Sequence, residues 1–271
     1  MKIGVIGASG LIGGYLLKFF RSVKDYEAIG TYNSSYKDGL VKFDFNESDF
    51  SLFKGLNFVI ISGAVTKIDK CRSDSGLPYR INVTKTIELI KYLSIQGIKP
   101  IFLSSDQVFD GEKGFYNETD KVNPINNYGY YKVLLENYMI DNLNDFLILR
   151  LTKTYSQNIS DSGIYKEIIF NLQIKNKIKL AIDQIFNPTK VEDLTKMIYL
   201  ALKLNLSGIY HIASENIMSR YDFGLEICDE LNFDKSLIEP CSIEEFAIVD
   251  KRTKNSSLDI SKFKKKITLG F

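Results

Sequence analysis

The sequence predicts an α/β protein with a doubly wound parallel sheet. Three observations support this prediction: short apolar segments alternate with helix-length amphipathic segments, the first apolar segment leads directly into a glycine-rich loop, and polar side chains recur where the apolar segments end. Such alternation is typical of a parallel sheet with helices on both faces. Ligands of these sheets bind at the carboxyl ends of the strands.

The hydrophobic pattern predicts the order of the elements. We expect strands at residues 2–6, 28–32, 58–62, 100–104 and 146–150, and helices near residues 11–21, 77–95, 128–142 and 165–175. Residues 1–150 are expected to form a dinucleotide-binding domain. Residues 151–271 carry shorter, mixed elements and are expected to form a smaller substrate-binding lobe. This lobe is not fully separate, because parts of it cross back to the sheet.

Composition and charge narrow the class of protein. The 271 residues can bury a sizeable core, and 45% hydrophobic with 25% charged residues is ordinary for a soluble globular enzyme. A net charge of +2 predicts neither nucleic-acid nor membrane binding. The chain opens on a strand without a cleavable leader, so we expect a cytoplasmic protein. Cys71, Cys228 and Cys241 lack the spacing of a zinc or redox motif and are expected as free thiols.

The first predicted strand ends in a loop with three glycines, Gly7, Gly10 and Gly13. Gly7 allows a tight turn, Gly10 lets the backbone approach a pyrophosphate, and Gly13 lets the next helix pack closely on the strand. Close packing alone can require two of the three. The N–H groups and the positive end of the helix dipole then face the phosphates. The loop predicts a Rossmann-like dinucleotide site formed by Gly7, Ser9, Gly10, Leu11 and Ile12.

The residues after the second predicted strand bear on the choice of cofactor. In dinucleotide folds, an acidic side chain about 20 residues after the glycines binds the ribose 2′-hydroxyl of NAD. Residues 33–37 contain no carboxylate, whereas Ser34, Ser35 and Lys37 could meet the 2′-phosphate of NADP. Asn33 is expected as a further cofactor contact. We therefore favour NADP(H), and NAD(H) stays possible. The alternative is a solvated loop that does not contact the 2′ position.

Tyr128 and Lys132 stand four residues apart in a predicted helix and therefore share one face. An ammonium group beside a phenol stabilises the phenolate and lowers its pKa from about 10 toward neutrality. Such a tyrosine can donate or accept a proton, which suits carbonyl and alcohol redox chemistry. The spacing also arises by chance in a chain rich in Tyr and Lys. The glycine loop, and Ser104 and Ser105 at the end of another strand, strengthen the functional interpretation.

These motifs together resemble the extended, sugar-nucleotide branch of the short-chain dehydrogenase/reductase superfamily. Residues 103–111 (Leu-Ser-Ser-Asp-Gln-Val-Phe-Asp-Gly) resemble the family block in which a hydroxyl residue precedes a Val-aromatic pair by three positions. The resemblance implies that Ser105 is the catalytic hydroxyl and Tyr128 the proton donor. It also implies that Lys132 tunes Tyr128 and holds the nicotinamide ribose. Further implied cofactor contacts are Asp44 and Phe45 near the adenine, Gly63, Ala64 and Thr66 after the strand at 58–62, and Asn82.

Later segments narrow the resemblance to the dTDP-4-dehydrorhamnose reductase family. Residues 183–189 (Asp-Gln-Ile-Phe-Asn-Pro-Thr) are the most specific of these, and similar segments at 192–194, 208–211, 219–223 and 252–259 extend the match over nearly the whole chain. Members reduce the 4-keto group of a nucleotide-linked 6-deoxyhexose in deoxysugar and cell-surface polysaccharide biosynthesis, often as homodimers. The resemblance therefore implies a nucleotide-sugar substrate and a homodimer. The implied substrate contacts are Ser105, Asp106, Gln107, Lys153, Asn187, Arg220 and Arg252.

Two positions depart from the family pattern. Gln107 stands where the family usually has Tyr, and Lys153 stands where it tends to have Trp. The reductase chemistry survives both changes, whereas rhamnose as the product stays open. Gln107 also argues against a 4,6-dehydratase, because those relatives carry an Asp-Glu pair there and a neutral amide cannot take the proton that the Glu removes.

Two other functions stay open. A C4 epimerase uses the same Ser, Tyr and Lys but retains its NAD. A non-catalytic regulatory subunit, such as the methionine adenosyltransferase beta subunit, has the same fold. Among the remaining candidates, His211 lies in an apolar strand and is expected to pack or to form hydrogen bonds. Asp106 and Asp110 flank the catalytic loop, but two carboxylates without further ligands do not predict a metal site.

Overall fold

The structure, a computed structural model, describes residues 1–46, 49–73, 76–246 and 250–269. Within these ranges the centre of the molecule is a seven-stranded sheet in the order β11-β6-β5-β4-β1-β2-β3, with every pair parallel. The predicted fold class is confirmed. The strands are β1 (Lys2–Ile6), β2 (Glu27–Tyr32), β3 (Val41–Lys42), β4 (Phe58–Ile61), β5 (Lys99–Ser105), β6 (Leu147–Leu151) and β11 (Gly208–Ile212).

The predicted strands agree with the sheet to within one residue at each end. All seven residues of β5 and all five of β6 are buried. Strands buried on both faces read as continuous apolar runs rather than alternating ones, which is why the short apolar segments were informative.

Helices cover both faces of the sheet. On one face, Leu16, Phe20, Ile198 and Phe263 pack in a single core cluster. On the other face, the cluster includes Leu89, Leu93, Leu135 and Met139. The α-helices are α1 (Leu11–Ser22), α2 (Ile68–Ser73), α3 (Gly76–Tyr79), α4 (Thr86–Ile95), α5 (Asn127–Asn142), α6 (Ile164–Gln173), α7 (Val191–Lys203), α8 (Arg220–Leu231) and α9 (Ser261–Leu269). Short 3₁₀ turns lie at Ser51–Phe53, Asp106–Val108, Lys235–Leu237 and Ile243–Glu245.

The single helix predicted at 77–95 is wrong in detail. The structure has α3, then a π-helical turn at Arg80–Lys85, then α4. Thr86 Oγ1 donates to the carbonyl oxygen of Ile81, five residues earlier, at 2.8 Å, a reach that suits the wider turn. Sequence periodicity does not reveal such a turn, and π turns often occur at functional sites.

The distal part of the chain forms three small strand pairs. These are β7 (Thr154–Tyr155) with β10 (Thr189–Lys190), β8 (Ile178–Ala181) with β13 (Ile238–Cys241), and the antiparallel pair β9 (Ile185–Phe186) with β12 (Met218–Ser219). Residues of α6 and α8 share a core cluster beside these strands. The distal strand β11 lies in the central sheet, where it pairs with β6. The division at residue 150 stays a prediction.

The structure also bears on the state of the three cysteines and on the lengths of the helices. Cys71, Cys228 and Cys241 are buried, and all three are free thiols. Across the described ranges, no helix combines the length and the apolar character that crossing a bilayer requires.

Candidate active site

A cleft of about 1160 Å³ follows the carboxyl ends of the central strands. The glycine loop lines one end, and Phe186 of β9 and Arg220 of α8 line the other. Single small-molecule sites usually occupy about 300–1,000 Å³. The cleft therefore has room for a dinucleotide and a second ligand.

Most of the predicted site residues line this cleft. They are Gly7, Ser9, Gly10, Leu11, Ile12, Asn33, Ser34, Phe45, Gly63, Ala64, Thr66, Ser105, Asp106, Gln107, Tyr128, Lys132, Lys153, Arg220 and Arg252. Their individual roles stay predictions, but the structure brings together side chains that are far apart in sequence. Lys37, Asp44, Asn82 and Asn187 do not line the cleft.

The glycine loop has the geometry of a phosphate cradle. Gly7 has φ +80°, and a Cβ there would lie 2.7 Å from Gly63 Cα, so only glycine fits. A Cβ on Gly13 would clash with the carbonyl oxygen of Gly7. Gly10, the residue before α1, has no side chain to cap the helix, which leaves the first N–H groups of the helix available to an anion. These features fit a dinucleotide pyrophosphate.

Three of the predicted cofactor contacts, Asn82, Asp44 and Lys37, do not line the cleft, and their roles stay predictions. Asn82 accepts from Val65 N at 2.8 Å and donates to Val65 O at 2.9 Å, so its amide fixes the loop that follows β4. Asp44 accepts from the backbone and side-chain amides of Asn46. Lys37 is exposed to solvent.

Ser105, Tyr128 and Lys132 meet where β5 ends beside one face of α5. Lys132 Nζ lies 5.5 Å from the centroid of the Tyr128 ring and donates to the carbonyl oxygen of Leu103 at 2.7 Å. Ser105 is the last residue of β5. The predicted set is therefore assembled in one place, at the carboxyl edge of the sheet.

Close packing of α5 on the loop after β5 brings these groups together. A Cβ on Gly129 would clash with the carbonyl oxygen of Gln107, so a larger residue would push the helix away. Asn126 caps the helix by accepting a hydrogen bond from Gly129 N at 2.9 Å. Gly129 follows Tyr128 directly and could have been recognised in the sequence as a close-approach glycine.

Burial dominates the acid–base properties of the site. Burial and the negative charge of Asp106 raise the pKa of Tyr128 above its ordinary value, although a hydrogen bond with Ser105 opposes the change. Burial lowers the pKa of Lys132 to about 8, and the charge of Glu136 opposes that change. The expectation that Lys132 brings the Tyr128 pKa toward neutrality is therefore wrong for this structure. Tyr128 keeps its proton at neutral pH, which is the state that a general acid requires.

Asp106, the first residue of the 3₁₀ turn after β5, has a buried carboxyl group. It accepts hydrogen bonds from Ser105 Oγ at 2.9 Å, Ser256 Oγ at 2.6 Å and Gln107 Nε2 at 3.3 Å. Burial raises its pKa, and these hydrogen bonds act in the opposite direction. Asp106 thus orients the Ser105 hydroxyl and ties the loop to the C-terminal segment.

Gln107 lines the cleft, but both ends of its amide bind protein groups. Its Oε1 accepts from Asn126 Nδ2 at 3.2 Å, and its Nε2 also donates to Thr253 Oγ1 at 3.1 Å. Gln107 therefore joins the catalytic loop, the start of α5 and the C-terminal segment.

Three cationic side chains lie at the far end of the cleft: Lys153, Arg220 and Arg252. Arg220 donates to Gln184 Oε1 at 3.2 Å and its guanidinium lies 4.3 Å from the centroid of the Phe186 ring. Burial lowers the pKa of Arg220 to about 10, and the charge of Asp106 opposes this shift.

The other two cations are less constrained. Lys153 is exposed toward the cleft, yet desolvation and the charge of Arg220 lower its pKa. Arg252 Nη2 pairs with Asp69 Oδ1 at 2.8 Å, whereas its buried Nη1 has no hydrogen-bond partner among the described residues. Together with Arg220, they can hold an anionic group.

Asn187, predicted as a substrate contact, does not line the cleft. It is 1% exposed, its Nδ2 donates to Ser214 O and Leu258 O, and its Oδ1 accepts from Leu258 N at 2.9 Å. The amide is fully used in joining main-chain segments. The resemblance of residues 183–189 to the family pointed to Asn187, but the sequence did not show that its side chain is buried.

A buried ion pair that sequence reasoning missed lies behind the catalytic residues. The Glu136 carboxylate accepts from Arg150 Nη2 at 2.7 Å and from Ser104 Oγ at 2.5 Å, and both charged side chains are almost fully buried. Arg150 also approaches His211 Nε2 at 3.3 Å. Glu136 follows Lys132 by four residues, so its place on the buried face of α5 could have been read from the helical spacing.

His211 packs and forms hydrogen bonds, as expected. Its ring is fully buried, with Nδ1 3.0 Å from the carbonyl oxygen of Tyr116. Burial and the charge of Arg150 lower its pKa to about 3, so the ring is neutral at physiological pH. A neutral ring that donates from Nδ1 and accepts at Nε2 satisfies both neighbours.

The phosphate cradle after β1 and the Ser/Tyr/Lys set after β5 define an NAD(P)-dependent oxidoreductase of the short-chain dehydrogenase/reductase type. The chain belongs to the family described as RmlD substrate binding domain, which matches residues 1–270. The resemblance found in the sequence is thereby confirmed.

The chain is also similar over most of its length to individual proteins and to solved structures. The chain is 29% identical over 268 residues to the probable low-salt glycan biosynthesis reductase Agl14 of Haloferax volcanii, covering 95% of this chain and 89% of that protein. It is 27% identical to methionine adenosyltransferase 2 subunit beta of Xenopus tropicalis, covering 96% and 81%. A crystal structure of a hypothetical dTDP-4-dehydrorhamnose reductase from Sulfolobus tokodaii superposes with a TM-score of 0.88 at 29% identity, covering 98% and 94%.

Proposed function

We propose that the protein reduces the keto group of a nucleotide-linked sugar with NADPH. The observation that carries this proposal is the order of groups along one cleft, with a phosphate cradle at one end, three cations at the other and Ser105, Tyr128 and Lys132 between them. A dinucleotide and a diphosphate-linked sugar can both lie in such a cleft with their reacting ends together. The reductases among the similar proteins support the same assignment.

The cofactor end of the cleft fits a dinucleotide. Gly7, Gly10 and the start of α1 would hold the pyrophosphate, and Lys132 would contact the nicotinamide ribose. When bound, NADPH supplies a hydride to the sugar carbonyl.

Tyr128 acts as the general acid in this proposal. Its raised pKa keeps the phenol protonated, and the proton passes to the carbonyl oxygen as negative charge develops there. The Lys132 ammonium stabilises the phenolate that this transfer leaves. Ser105 hydrogen-bonds the same oxygen, for which its hydroxyl must turn away from Asp106.

The far end of the cleft fits the diphosphate of a nucleotide sugar. Lys153, Arg220 and Arg252 supply positive charge there, and Arg220 is held by Gln184. We propose a 4-keto-6-deoxyhexose as the sugar. Gln107 and Lys153 are the two positions at which this site departs from the family, so the product can differ from rhamnose.

The test is NADPH oxidation with a panel of 4-keto-6-deoxy sugar nucleotides. Tyr128→Phe keeps the ring and removes only the acidic proton, which should lower kcat by about 10²–10⁴. The dissociation constant of NADPH should stay within about twofold. Tyr130→Phe is the matched control, because Tyr130 is 49% exposed and does not line the cleft. Near-normal turnover of Tyr128→Phe would contradict the assignment.

Similarity to methionine adenosyltransferase beta subunits favours a second candidate, a non-catalytic regulatory subunit. The assembled Ser105, Tyr128 and Lys132 support catalysis instead. If wild-type protein bound NADPH but turned over none of the sugar nucleotides, the regulatory function would be the better one. An epimerase would be indicated by NAD that copurifies with the protein.

A homodimer and a cytoplasmic location belong to the same proposal. Exposed apolar side chains on α3 to α5 support a contact between two copies; they are Leu77, Tyr79, Ile95 and Ile140. Light scattering after gel filtration measures the oligomeric state, and cell fractionation measures the location.

A further inference from the structure

Arg252 lies in a segment that is tied to the turn after β5 and to the start of α5. Its guanidinium lines the cleft, and its buried Nη1 has no hydrogen-bond partner among the described residues. Other parts of the chain hold the residues on both sides of it. Asn126 Nδ2 donates to the carbonyl oxygen of Lys251 at 3.3 Å, and Gln107 Nε2 donates to Thr253 Oγ1 at 3.1 Å. The place of Arg252 in the cleft therefore depends on Asn126 and Gln107.

The side chain of Gln107 is at the centre of these contacts. Its Oε1 accepts from Asn126 Nδ2 at 3.2 Å, and its Nε2 donates to Asp106 Oδ1 at 3.3 Å as well as to Thr253. Its backbone N–H donates to Ser105 Oγ at 3.2 Å. A side-chain amide has two donor hydrogens and one acceptor oxygen. All three are engaged within the protein although the side chain lines the cleft, which is the pattern of a residue that positions its neighbours.

The start of α5 depends on the same contacts. Asn126 caps the helix by accepting from Gly129 N at 2.9 Å, and Tyr128 lies directly before Gly129 in the first turn. A Cβ on Gly129 would clash with the carbonyl oxygen of Gln107, so the helix packs directly on the turn that carries Gln107. A displacement of Gln107 would therefore move Tyr128 relative to Ser105.

We propose that Gln107 is a positioning residue that fixes the distance between Arg252 and the reacting pair of Ser105 and Tyr128. The inference rests on the proposed function, in which Arg252 holds the diphosphate and Tyr128 protonates the carbonyl. In a nucleotide sugar the diphosphate and the keto carbon are a set number of bonds apart. Holding Arg252 at one distance from Tyr128 thus brings the carbonyl oxygen, and not a neighbouring hydroxyl, to the phenol. Gln107 acts through these residues and does not touch the sugar.

Gln107→Met tests the hydrogen bonds separately from the volume, because Met has a similar size and no amide. A misplacement of about 1 Å can lower a rate about 10²-fold, so kcat for the sugar nucleotide should fall at least about tenfold. The KM of the sugar nucleotide should rise less than about threefold, because Arg252 is still present to bind it. A residue that bound the sugar directly would instead raise KM and leave kcat unchanged.

Thr253 offers a matched pair of variants. Thr253→Val removes the hydroxyl that Gln107 contacts, whereas Thr253→Ser keeps it. Thr253→Val should lower kcat in the same way as Gln107→Met, and Thr253→Ser should keep kcat within about twofold of wild type. Because the two residues act through one hydrogen bond, the double variant Gln107→Met with Thr253→Val should lose no more than about twofold beyond the larger single loss. If Gln107→Met did not fold, the Thr253 pair would carry the same test.

Amide hydrogen exchange measures the positioning without turnover. Gln107→Met should speed exchange in the peptides that contain Gly129 and Thr253, because the contacts that hold both segments are lost. Exchange in α7 should not change, since none of its residues line the cleft. The dissociation constant of NADPH, which the glycine loop holds, should stay within about twofold.

Four outcomes would overturn the inference. They are an unchanged kcat in Gln107→Met, a rise in KM alone, single losses that multiply in the double variant, and unchanged exchange at Gly129. A wild-type protein that turned over none of the sugar nucleotides would reject the proposed function. In that case the exchange measurement would still decide whether Gln107 positions the start of α5.

Discussion

At the scale of single residues, the site contains a phenol with a raised pKa, Tyr128, and an ammonium group with a lowered pKa, Lys132. Burial affects both, because the charged form of each group loses contact with water. For Tyr128 the charged form is the phenolate, so the pKa rises. For Lys132 the charged form is the ammonium, so the pKa falls to about 8. The proposed mechanism requires both groups to be protonated.

This pair of shifts predicts how activity depends on pH. Lys132 is charged below its pKa, so kcat/KM should be constant at neutral pH and fall as the pH rises through about 8. The pH profile of kcat/KM reports the groups of the free enzyme and is the measurement to make. Lys132→Arg keeps its charge at every accessible pH and should lose the alkaline decrease. A wild-type rate that stayed constant up to the ordinary lysine pKa of 10.5 would contradict the assignment.

At the scale of elements, α5 is joined to the sheet by charge as well as by apolar packing. Glu136 on the buried face of α5 pairs with Arg150 of β6 and accepts from Ser104 of β5. The same face carries Lys132 one turn earlier and Tyr128 two turns earlier. The pair therefore holds the catalytic helix in register with the strand that ends in Ser105.

Breaking this pair should be far more costly than replacing it. Glu136→Ala leaves the Arg150 charge buried and unpaired, which should lower the free energy of unfolding by about 3–5 kcal/mol. The double substitution Glu136→Leu with Arg150→Met removes both charges and should cost clearly less. Urea unfolding measures both values.

The exposed pair of Lys196 and Asp193 on α7 is the control. Both side chains are more than half exposed, so Asp193→Ala should change stability by less than about 1 kcal/mol. If Glu136→Ala behaved like this control, the buried pair would not hold α5 in place.

At the scale of the whole molecule, the cleft is built from both halves of the chain. The glycine loop and the catalytic residues come from the first 132 residues, whereas Arg220, Arg252 and Ser256 come from the distal half. Hydrogen bonds from Gln107 to Thr253 and from Ser256 to Asp106 join the two parts over 146 and 150 residues of sequence. Because different segments of the chain form the two ends of the cleft, a substitution can alter one end without altering the other.

This separation predicts distinct effects on the two ligands. Arg220→Gln removes a positive charge at the far end and should raise the KM of the sugar nucleotide at least about tenfold, the loss expected for a hydrogen bond to a charged group. The dissociation constant of NADPH should stay within about twofold. Steady-state kinetics and NADPH titration measure the two quantities. Equal weakening of both ligands would show that Arg220 supports the fold of the cleft rather than the substrate.

The sequence by itself determined the features that depend on near neighbours along the chain. The central strands follow from short, continuous apolar runs, which are typical of strands buried on both faces, and the glycine loop follows from the spacing of its glycines. The shared face of Tyr128 and Lys132 follows from the 3.6-residue repeat of the helix. The same holds for the polar residues at strand ends, which parallel pairing brings to one edge.

Only the tertiary structure decided the features that depend on distant segments. The side-chain amide of Asn187 is hydrogen-bonded to the backbone of Leu258 and Ser214. The direction of the Tyr128 pKa shift also required the fold, since it depends on how much water the surrounding segments exclude. Burial and the use of hydrogen-bonding groups are set by residues up to 183 positions away, and no local pattern in the sequence records them.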